Sequence, residues 1–418
     1  MKSNKTILAL LVLSVLVFSV LSAGCIGEKP STATSVSSKT LSTQSKVQTT
    51  TPSKTEKETA RKITMTDFRG KTIELSKPAE KTVILAAYWP EIVVALGKKD
   101  AIVGIDKATP YNLYVPEEIR KKPVVGCWDS VNVEELASLK PDVVIAGYYG
   151  LSNSVIEQIE GLGIPVLDLT PESFEDEIRA IEIMGKAFGA EDKAREIVDF
   201  MKNRRKKIIN LAKTIPDKKR LKAVFICGKY LLKGEILVYV NETYAKSMRE
   251  AGAIDIGPQM SGEATKFRFG VKVDFEELVK HDPDVILLTT SSSLKTIRQI
   301  ANAIISDPKW HVLKAYKTGR VYLVPYGYVR PQEKEVTAAV FGWGIRSVIG
   351  REYVAKALYP DVYKDIDWIA DLEYMFKLYG VEMPKQAYAM FRITPKGLIK
   401  EYVDESGKVV TVAVSLED

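Results

Sequence analysis

The sequence predicts an α/β fold of two lobes, each with a mainly parallel sheet, joined by a single long helical segment. Three observations carry this prediction. Short β-branched runs alternate with amphipathic stretches from Arg61 to about Thr170, and a second such series begins near Ala223; strand-helix alternation of this kind points to parallel sheets covered on both faces. Between Ser173 and Ile215 no strand-like run occurs, and apolar residues recur at helical spacing. Residues 131–145 and 273–287 repeat one another at a constant offset of 142, with seven identities in fifteen positions.

Taken in order, residues 63–75 alternate around a turn at Arg69-Gly70 and read as a hairpin. Apolar runs at 82–86, 102–105, 143–146 and 165–169 read as strands of the first sheet, with helices at 91–96 and 133–139 among the connections. Ser173 is the expected N-cap of the connector, with Glu175, Asp176 and Glu177 in its first turn. Gly189 permits a break in it and Pro216 stops it. Runs at 223–226, 285–288 and 321–324 supply the second sheet. Each copy of the repeat is a helix with two leading acids (Glu134-Glu135 and Glu276-Glu277), a Pro-Asp turn and a buried strand. Residues 380–418 fall outside both series and end in a hairpin around Ser406-Gly407. The resulting segments are 1–24, 25–60, 61–172, 173–216, 217–380 and 381–418.

The first two segments read as export signal and tether. Lys2 and Lys5 precede an apolar run over 7–20 and small residues up to Cys25, the layout of a secretory signal whose apolar part is too short to span a bilayer comfortably. Leu21-Ser22-Ala23-Gly24-Cys25 resembles the lipobox of exported lipoproteins, with Ser22 where Leu or Val is usual, so Cys25 is the candidate lipidation site. An uncleaved N-terminal helix anchor is the alternative, and both readings place the rest of the chain outside the cytoplasm. Of residues 31–60, 16 are Ser or Thr and none is aromatic. Such a stretch buries too little apolar area to offset its ordering entropy and reads as a flexible tether.

Composition narrows the function classes. With 418 residues, 46% hydrophobic, 27% charged and 19 Tyr, the chain is neither wholly disordered nor a polytopic membrane protein. The formal charge of +7 raises the question of a nucleic-acid partner. Residues 1–60 hold seven Lys and three acids, which leaves +3 for the folded part and removes most of that support. Two His argue against a His-rich metal site, and three Cys against a disulfide scaffold. No G-x-x-x-x-G-K-[ST], H-E-x-x-H or G-x-S-x-G occurs.

Several motifs together resemble a known family. The hairpin Asp67-Phe68-Arg69-Gly70-Lys71, Val133-Glu134-Glu135-Leu136 ahead of Leu139-Lys140-Pro141-Asp142-Val143, and Asp307-Pro308-Lys309-Trp310 ahead of Lys317-Thr318-Gly319-Arg320-Val321 resemble, in order and spacing, the class III substrate-binding proteins of ABC importers. These bind siderophores, haem and cobalamin. The resemblance spans about residues 63–379 and implies a ligand cleft between the lobes and capture by lobe closure. It implies a monomer, not an enzyme, that holds no cofactor beyond its metal-chelate ligand and delivers that ligand to an ABC permease dimer with a cytoplasmic ATPase. It also implies one docking glutamate per lobe, which by register are Glu134 and Glu276. The expected membrane link is the N-terminal anchor, and no nucleic-acid partner is expected.

Open α/β sheets bind ligands beyond the carboxyl ends of their strands, which selects candidate ligand residues. In the first lobe these are Tyr88, Trp89, Trp128 and Tyr148; in the second they are Arg268, beside Lys266, and Tyr328 and Arg330. Trp128 matches in spacing a ligand-contacting tryptophan of cobalamin binders, by the resemblance. Aromatic faces flanked by Arg suit a broad, flat, anionic metal chelate. Some relatives bind oxyanions such as molybdate or tungstate, which the same arginines would serve. A chelatase-like enzyme and a structural surface protein are the readings of other classes. His281 reads as a turn residue and His311 as a loop residue with a minor claim to haem ligation. Cys127 and Cys227 fall in different lobes, and spacing leaves open whether they pair.

Overall fold

The computed structural model describes residues 62–127, 130–147, 151–241, 243–265, 270–330, 332, 335–383 and 387–417, within one compact unit, Thr59–Asp418. Cys25, Trp128, Tyr148, Lys266 and Arg268 lie outside the described residues. Among those described, no helix is long and apolar enough to cross a membrane.

The first lobe opens with the hairpin β1 (Ile63–Thr66) and β2 (Thr72–Leu75). It continues through β3 (Thr82–Leu85), α1 (Trp89–Ala95), β4 (Ile102–Asp106), α2 (Glu117–Arg120), β5 (Val124–Cys127), β6 (Ser130–Val131), α3 (Val133–Ser138), β7 (Val143–Ala146), α4 (Asn153–Gly161) and β8 (Val166–Asp168). The sheet order is β6-β5-β4-β3-β7-β8, parallel throughout except for β6. β3 and β7 are buried at every position, which is why they read as unbroken apolar runs rather than alternating ones.

Two helices form the connector, α5 (Phe174–Phe188) and α6 (Glu191–Ala212). The Ser173 side chain accepts from Asp176 N at 3.1 Å and caps α5. Gly189, at φ +61°, ends it, and a side chain there would meet the Pro78 ring 3.0 Å away. The break expected at Gly189 therefore splits the segment. α6 alone, with 22 residues, extends roughly 33 Å at 1.5 Å per residue.

The second lobe comprises β9 (Lys222–Cys227), α7 (Gly228–Leu231), β10 (Ile236–Tyr239), α8 (Tyr244–Glu250), β11 (Ile254–Asp255), β12 (Glu263–Ala264), β13 (Gly270–Val273), α9 (Phe275–His281), β14 (Val285–Thr290), α10 (Leu294–Ile305), α11 (Lys314–Lys317) and β15 (Val321–Pro325). It is completed by α12 (Arg346–Leu358), α13 (Trp368–Tyr379), β16 (Ala389–Thr394), β17 (Gly397–Val403) and β18 (Val409–Val414). Its ten-stranded sheet runs β12-β13-β10-β9-β14-β15-β16-β17-β18, with β11 also beside β9. β11, β9, β14 and β15 are parallel, and the strands on both flanks are antiparallel. The C-terminal residues, which match neither series in sequence, are thus three further strands of this sheet. Their hairpin turns at Asp404, whose Oδ1 accepts from Ser406 N at 2.9 Å and Lys408 N at 3.0 Å.

The internal repeat persists in three dimensions. Lys140 and Asp282 are equivalent at the offset of 142, and they are the only non-glycine residues at positive φ among those described, at 49° and 40°. Leu136 and Leu278 are both fully buried. Asp142 Oδ2 accepts from Lys81 N at 2.9 Å and Asp284 Oδ2 from Lys222 N at 2.8 Å, so each Pro-Asp turn ties down the start of the neighbouring strand.

One hydrophobic cluster spans both lobes, from Ile84 and Val93 through Ile181 and Met201 to Phe225, Phe341, Tyr353 and Tyr379, beside a cluster confined to each lobe. α12 is buried along almost its whole length and packs on α6, α8 and α13, while α13 packs back on α1 of the first lobe. Leu113 N also donates to Val329 O at 3.0 Å across the lobe boundary. The lobe closure expected from the resemblance meets this continuous packing: a wide opening would expose shared core and break buried polar bonds, so the joint is stiff.

Candidate functional site

A cavity of about 290 Å³ lies between the lobes, beyond the carboxyl ends of β3, β4, β5, β7 and β15. The chain leaving β3 supplies Ala87 and Tyr88, that leaving β4 supplies Asp106 and Lys107, and Cys127 ends β5. Gly147 follows β7, and there a Cβ would fall 2.5 Å from Trp89 Nε1 and 3.0 Å from the Tyr88 hydroxyl. Only glycine lets this turn lie so close to the two rings.

From the second lobe come Tyr244 at the start of α8, Tyr326 and Tyr328 after β15, and Trp343 and Arg346 at the head of α12. The rings of Tyr88 and Trp343 face one another across the lobes with centroids 6.1 Å apart. Tyr244 is held among Tyr239 at 4.5 Å, Phe341 at 4.9 Å and Tyr326 at 6.3 Å. These offset and edge-on contacts suit aromatic rings and form a rigid, largely apolar wall.

Charge is sparse here and mostly committed. Asp106 accepts from Thr109 N at 2.8 Å and from Thr109 Oγ1 at 2.6 Å. Burial pushes its carboxyl up, against these hydrogen bonds. Behind the aromatic wall Arg346 pairs with Glu91 of α1, and its guanidinium lies 4.9 Å from the Tyr114 ring centroid. Burial pushes the Glu91 carboxyl up, while Arg346 and the Asn112 amide, 2.7 Å away, pull it down; with two guanidinium bonds in place we treat it as the carboxylate. Among the described residues no group of three His, Cys, Asp or Glu could hold a metal ion. A ligand bringing its own flat apolar surface finds stacking partners in this wall.

Of the residues selected from sequence, Tyr88 and Tyr328 line the cavity. Trp89 does not: the first residue of α1, it is fully buried, with its ring nitrogen packed behind Gly147 of the cavity wall. Arg330 is exposed beside Tyr328, its guanidinium 5.9 Å from that ring centroid, and does not line the cavity. Trp343, Tyr244 and Arg346 were not selected. The flanking glycines were the available signal for Trp343: a Cβ on Gly342 would lie 2.8 Å from the Arg346 guanidinium, and one on Gly344 2.8 Å from Ile92 of the opposite lobe. Tyr244 and Arg346 sit on helices, where spacing alone reads as packing.

Glu134 and Glu276 are exposed in the first turns of α3 and α9. Neither forms an ion pair with a described residue, whereas the neighbouring Glu277 is engaged by Lys280 at 2.9 Å and by Ser261 N at 2.9 Å. His311 lies away from the cavity, stacked on Tyr316 at 4.4 Å with Nε2 3.0 Å from Ile305 O, and His281 ends α9. Cys127 and Cys227 are both free and buried.

Comparison with known proteins agrees with this geometry. The model of the family described as periplasmic binding protein matches residues 83–326. An uncharacterized ABC transporter substrate-binding lipoprotein, YvrC of Bacillus subtilis (strain 168), is 32% identical over 317 residues, covering 72% of this chain and 87% of that protein. The molybdate-binding protein MolA of Haemophilus influenzae is 25% identical over 72% of this chain and 86% of its own length. A periplasmic solute binding protein from Veillonella parvula shares the fold, with a TM-score of 0.62 at 23% identity over 78% of this chain and 94% of that one. The chain belongs to the periplasmic binding protein family and is the extracytoplasmic substrate-binding component of an ABC transporter.

Proposed function

We propose that the protein captures an anionic metal chelate, of the siderophore, haem or corrinoid kind, and hands it to a permease dimer driven by a cytoplasmic ATPase. The observation that carries this reading is the facing pair Tyr88 and Trp343, one from each lobe, at the mouth of strand ends where Lys107 also lines the cavity. Rings supply area to a flat ligand and cations favour its acidic groups. Capture occurs at the outer face of the membrane, where lipidated Cys25 or a retained N-terminal helix holds the tether.

Glu134 and Glu276 are the docking acids in this reading. Their equivalence in the repeat matches two equivalent permease subunits, and free exposed carboxylates govern encounter rate and its salt dependence. Reversing both charges is expected to abolish uptake while leaving ligand affinity intact; unchanged uptake would remove the docking role.

A second reading, an oxyanion such as molybdate or tungstate, is favoured by the similarity to MolA over 86% of that protein. Mass spectrometry of what the natively purified protein retains separates the two. A metal-bound organic ligand supports the first, molybdate or tungstate alone supports the second, and recovery of a metal-free ligand would overturn both.

A further inference from the structure

Charge is unevenly placed over the folded part. Residues 61–418 carry +3 in all, so residues 202–222, with ten Lys or Arg and one acid, leave −6 for everything else. Lys202, Lys206 and Lys213 share one exposed face of α6, while the helix buries Ile197, Met201 and Ile208 on another. Lys218, Lys219 and Lys222, all exposed, continue the strip to the start of β9. Little neutralises it. Arg204 and Arg205 turn to Asp371, Glu250 and Glu175, Asp217 pairs with Arg220, and Glu182 lies 3.6 Å from Lys202. Lys213 and Lys222 donate to the neutral oxygens of Asn210 and His281. Lys206, Lys218 and Lys219 form no ion pair with a described residue. No large apolar side chain is exposed between residues 202 and 222, so whatever meets the strip is held by charge.

We propose that this strip rests on the anionic lipid headgroups of the membrane that carries the permease, with the mouth of the cavity turned outward. Two placements select that partner. Thr64, Met65 and Thr66 of β1 share a groove with Arg195 and Lys202 of α6, so, resting on the anchor reading above, the chain arriving from the membrane joins the compact unit beside the strip. The strip is also extended: its helical part alone, Lys202 to Lys213, covers roughly 16 Å at 1.5 Å per residue, more than one small anion spans. A broad polyanionic surface suits it, and the extracytoplasmic position sets nucleic acid aside. Lys222 begins β9, whereas β15, parallel to β9 through β14, ends in the chain that supplies Tyr326 and Tyr328 to the cavity. Strip and cavity thus lie at opposite ends of the same parallel strands. Glu276, which heads α9 after β13, lies at the cavity end as well. On the docking reading, the strip therefore holds the protein in a capture orientation distinct from the docked one.

Flotation of Thr59–Asp418, a self-contained compact unit, with lipid vesicles tests this without ligand, permease or anchor, so its failure is separate from failure of the docking and anchor readings. Vesicles of phosphatidylcholine with about a third phosphatidylglycerol should carry the protein at low ionic strength and release it in high salt, and pure phosphatidylcholine should not carry it. Lys206→Gln, Lys213→Gln and Lys219→Gln should each lower partition roughly fivefold, and together roughly a hundredfold. The same change at Lys229, Lys377 and Lys408, exposed elsewhere, should together cost less than about twofold, with far-ultraviolet circular dichroism unchanged in both triple variants. Tryptic cleavage after Lys218 should slow on the anionic vesicles. Equal partition into the two lipids overturns the proposal, and so does an equal loss in the two triple variants or cleavage after Lys218 that lipid does not slow.

Discussion

Glu91 on α1 and Arg346 at the head of α12 meet across the lobe boundary, fully buried, with Arg346 Nη2 2.9 Å from Glu91 Oε1 and Nε 3.1 Å from Oε2. Asn112 donates to the same Oε1 at 2.7 Å, and its amide also reaches Ala87 O at 2.9 Å in the chain that leads to Tyr88. The ion pair thus fixes the two lobes and one cavity wall together. Buried pairs are weak stabilisers in themselves, but removing one partner strands the other.

Glu91→Ala should therefore destabilise the protein by about 3–5 kcal/mol, read as a drop in the urea midpoint of the compact unit. Replacing both partners, Glu91→Leu with Arg346→Met, should recover much of that loss. Equal loss in the single and double variants would mean that packing, not the stranded guanidinium, sets the cost.

Stability should fall as pH rises from about 5 to 9. Burial pushes the Glu177 carboxyl up to about 8, with Arg351 opposing. Burial and the neighbouring Asp371 carboxyl push Glu352 up to about 9. The unfolded chain titrates near the ordinary Glu value of about 4.3. The folded protein binds these protons more tightly, so their stabilising effect is full below that value and is lost on approach to the folded ones. Glu177→Gln and Glu352→Gln should each flatten the midpoint-against-pH curve over that window; parallel curves would show the groups ionised throughout.

Trp343→Ala should weaken binding of the recovered chelate by roughly tenfold, the scale of one well-stacked aromatic anchor. It can be followed by isothermal titration. Arg330→Ala should change affinity by less than about twofold, as an exposed charge outside the cavity. Trp89→Ala should act on stability by about 3–5 kcal/mol, as a filled core position emptied. A large effect of Arg330 with none of Trp343 would relocate the ligand.

Lys140→Gly should raise stability by about 1 kcal/mol, because only glycine enters the left-handed region without cost. Asp282→Gly should be close to neutral, since Asp282 Oδ1 also accepts from Lys314 N at 2.9 Å and that bond is lost. Thermal melts of the pair decide it: identical gains would mean the Asp282 hydrogen bond contributes nothing.

The parallel strands were legible because full burial on both faces writes itself as apolar runs: those read at 82–86 and 143–146 are observed as Thr82–Leu85 and Val143–Ala146. The repeat was legible because the Pro-Asp turn and paired acids need particular residues. β10 and β16 were not, since the sense of a strand at a sheet flank is set by tertiary packing. Sequence position after a strand found Tyr88 and Tyr328, but it could not tell that Trp89, one residue on, turns into the core. It had no purchase on Arg346, whose partner lies 255 residues away.

The core shared by the lobes has a consequence for chain continuity. Between α6 and β9 the backbone passes once from lobe to lobe through exposed residues 216–219, Pro-Asp-Lys-Lys. The other contacts that unite the halves are noncovalent, among them α12 on α6, α13 on α1, the Leu113–Val329 backbone bond and the Glu91–Arg346 pair. A single tryptic cut after Lys218 should therefore leave a nicked protein that runs as one species under native conditions and as two fragments in denaturant. Expressed separately, each fragment keeps the cluster of its own lobe but leaves the shared one exposed until the two recombine.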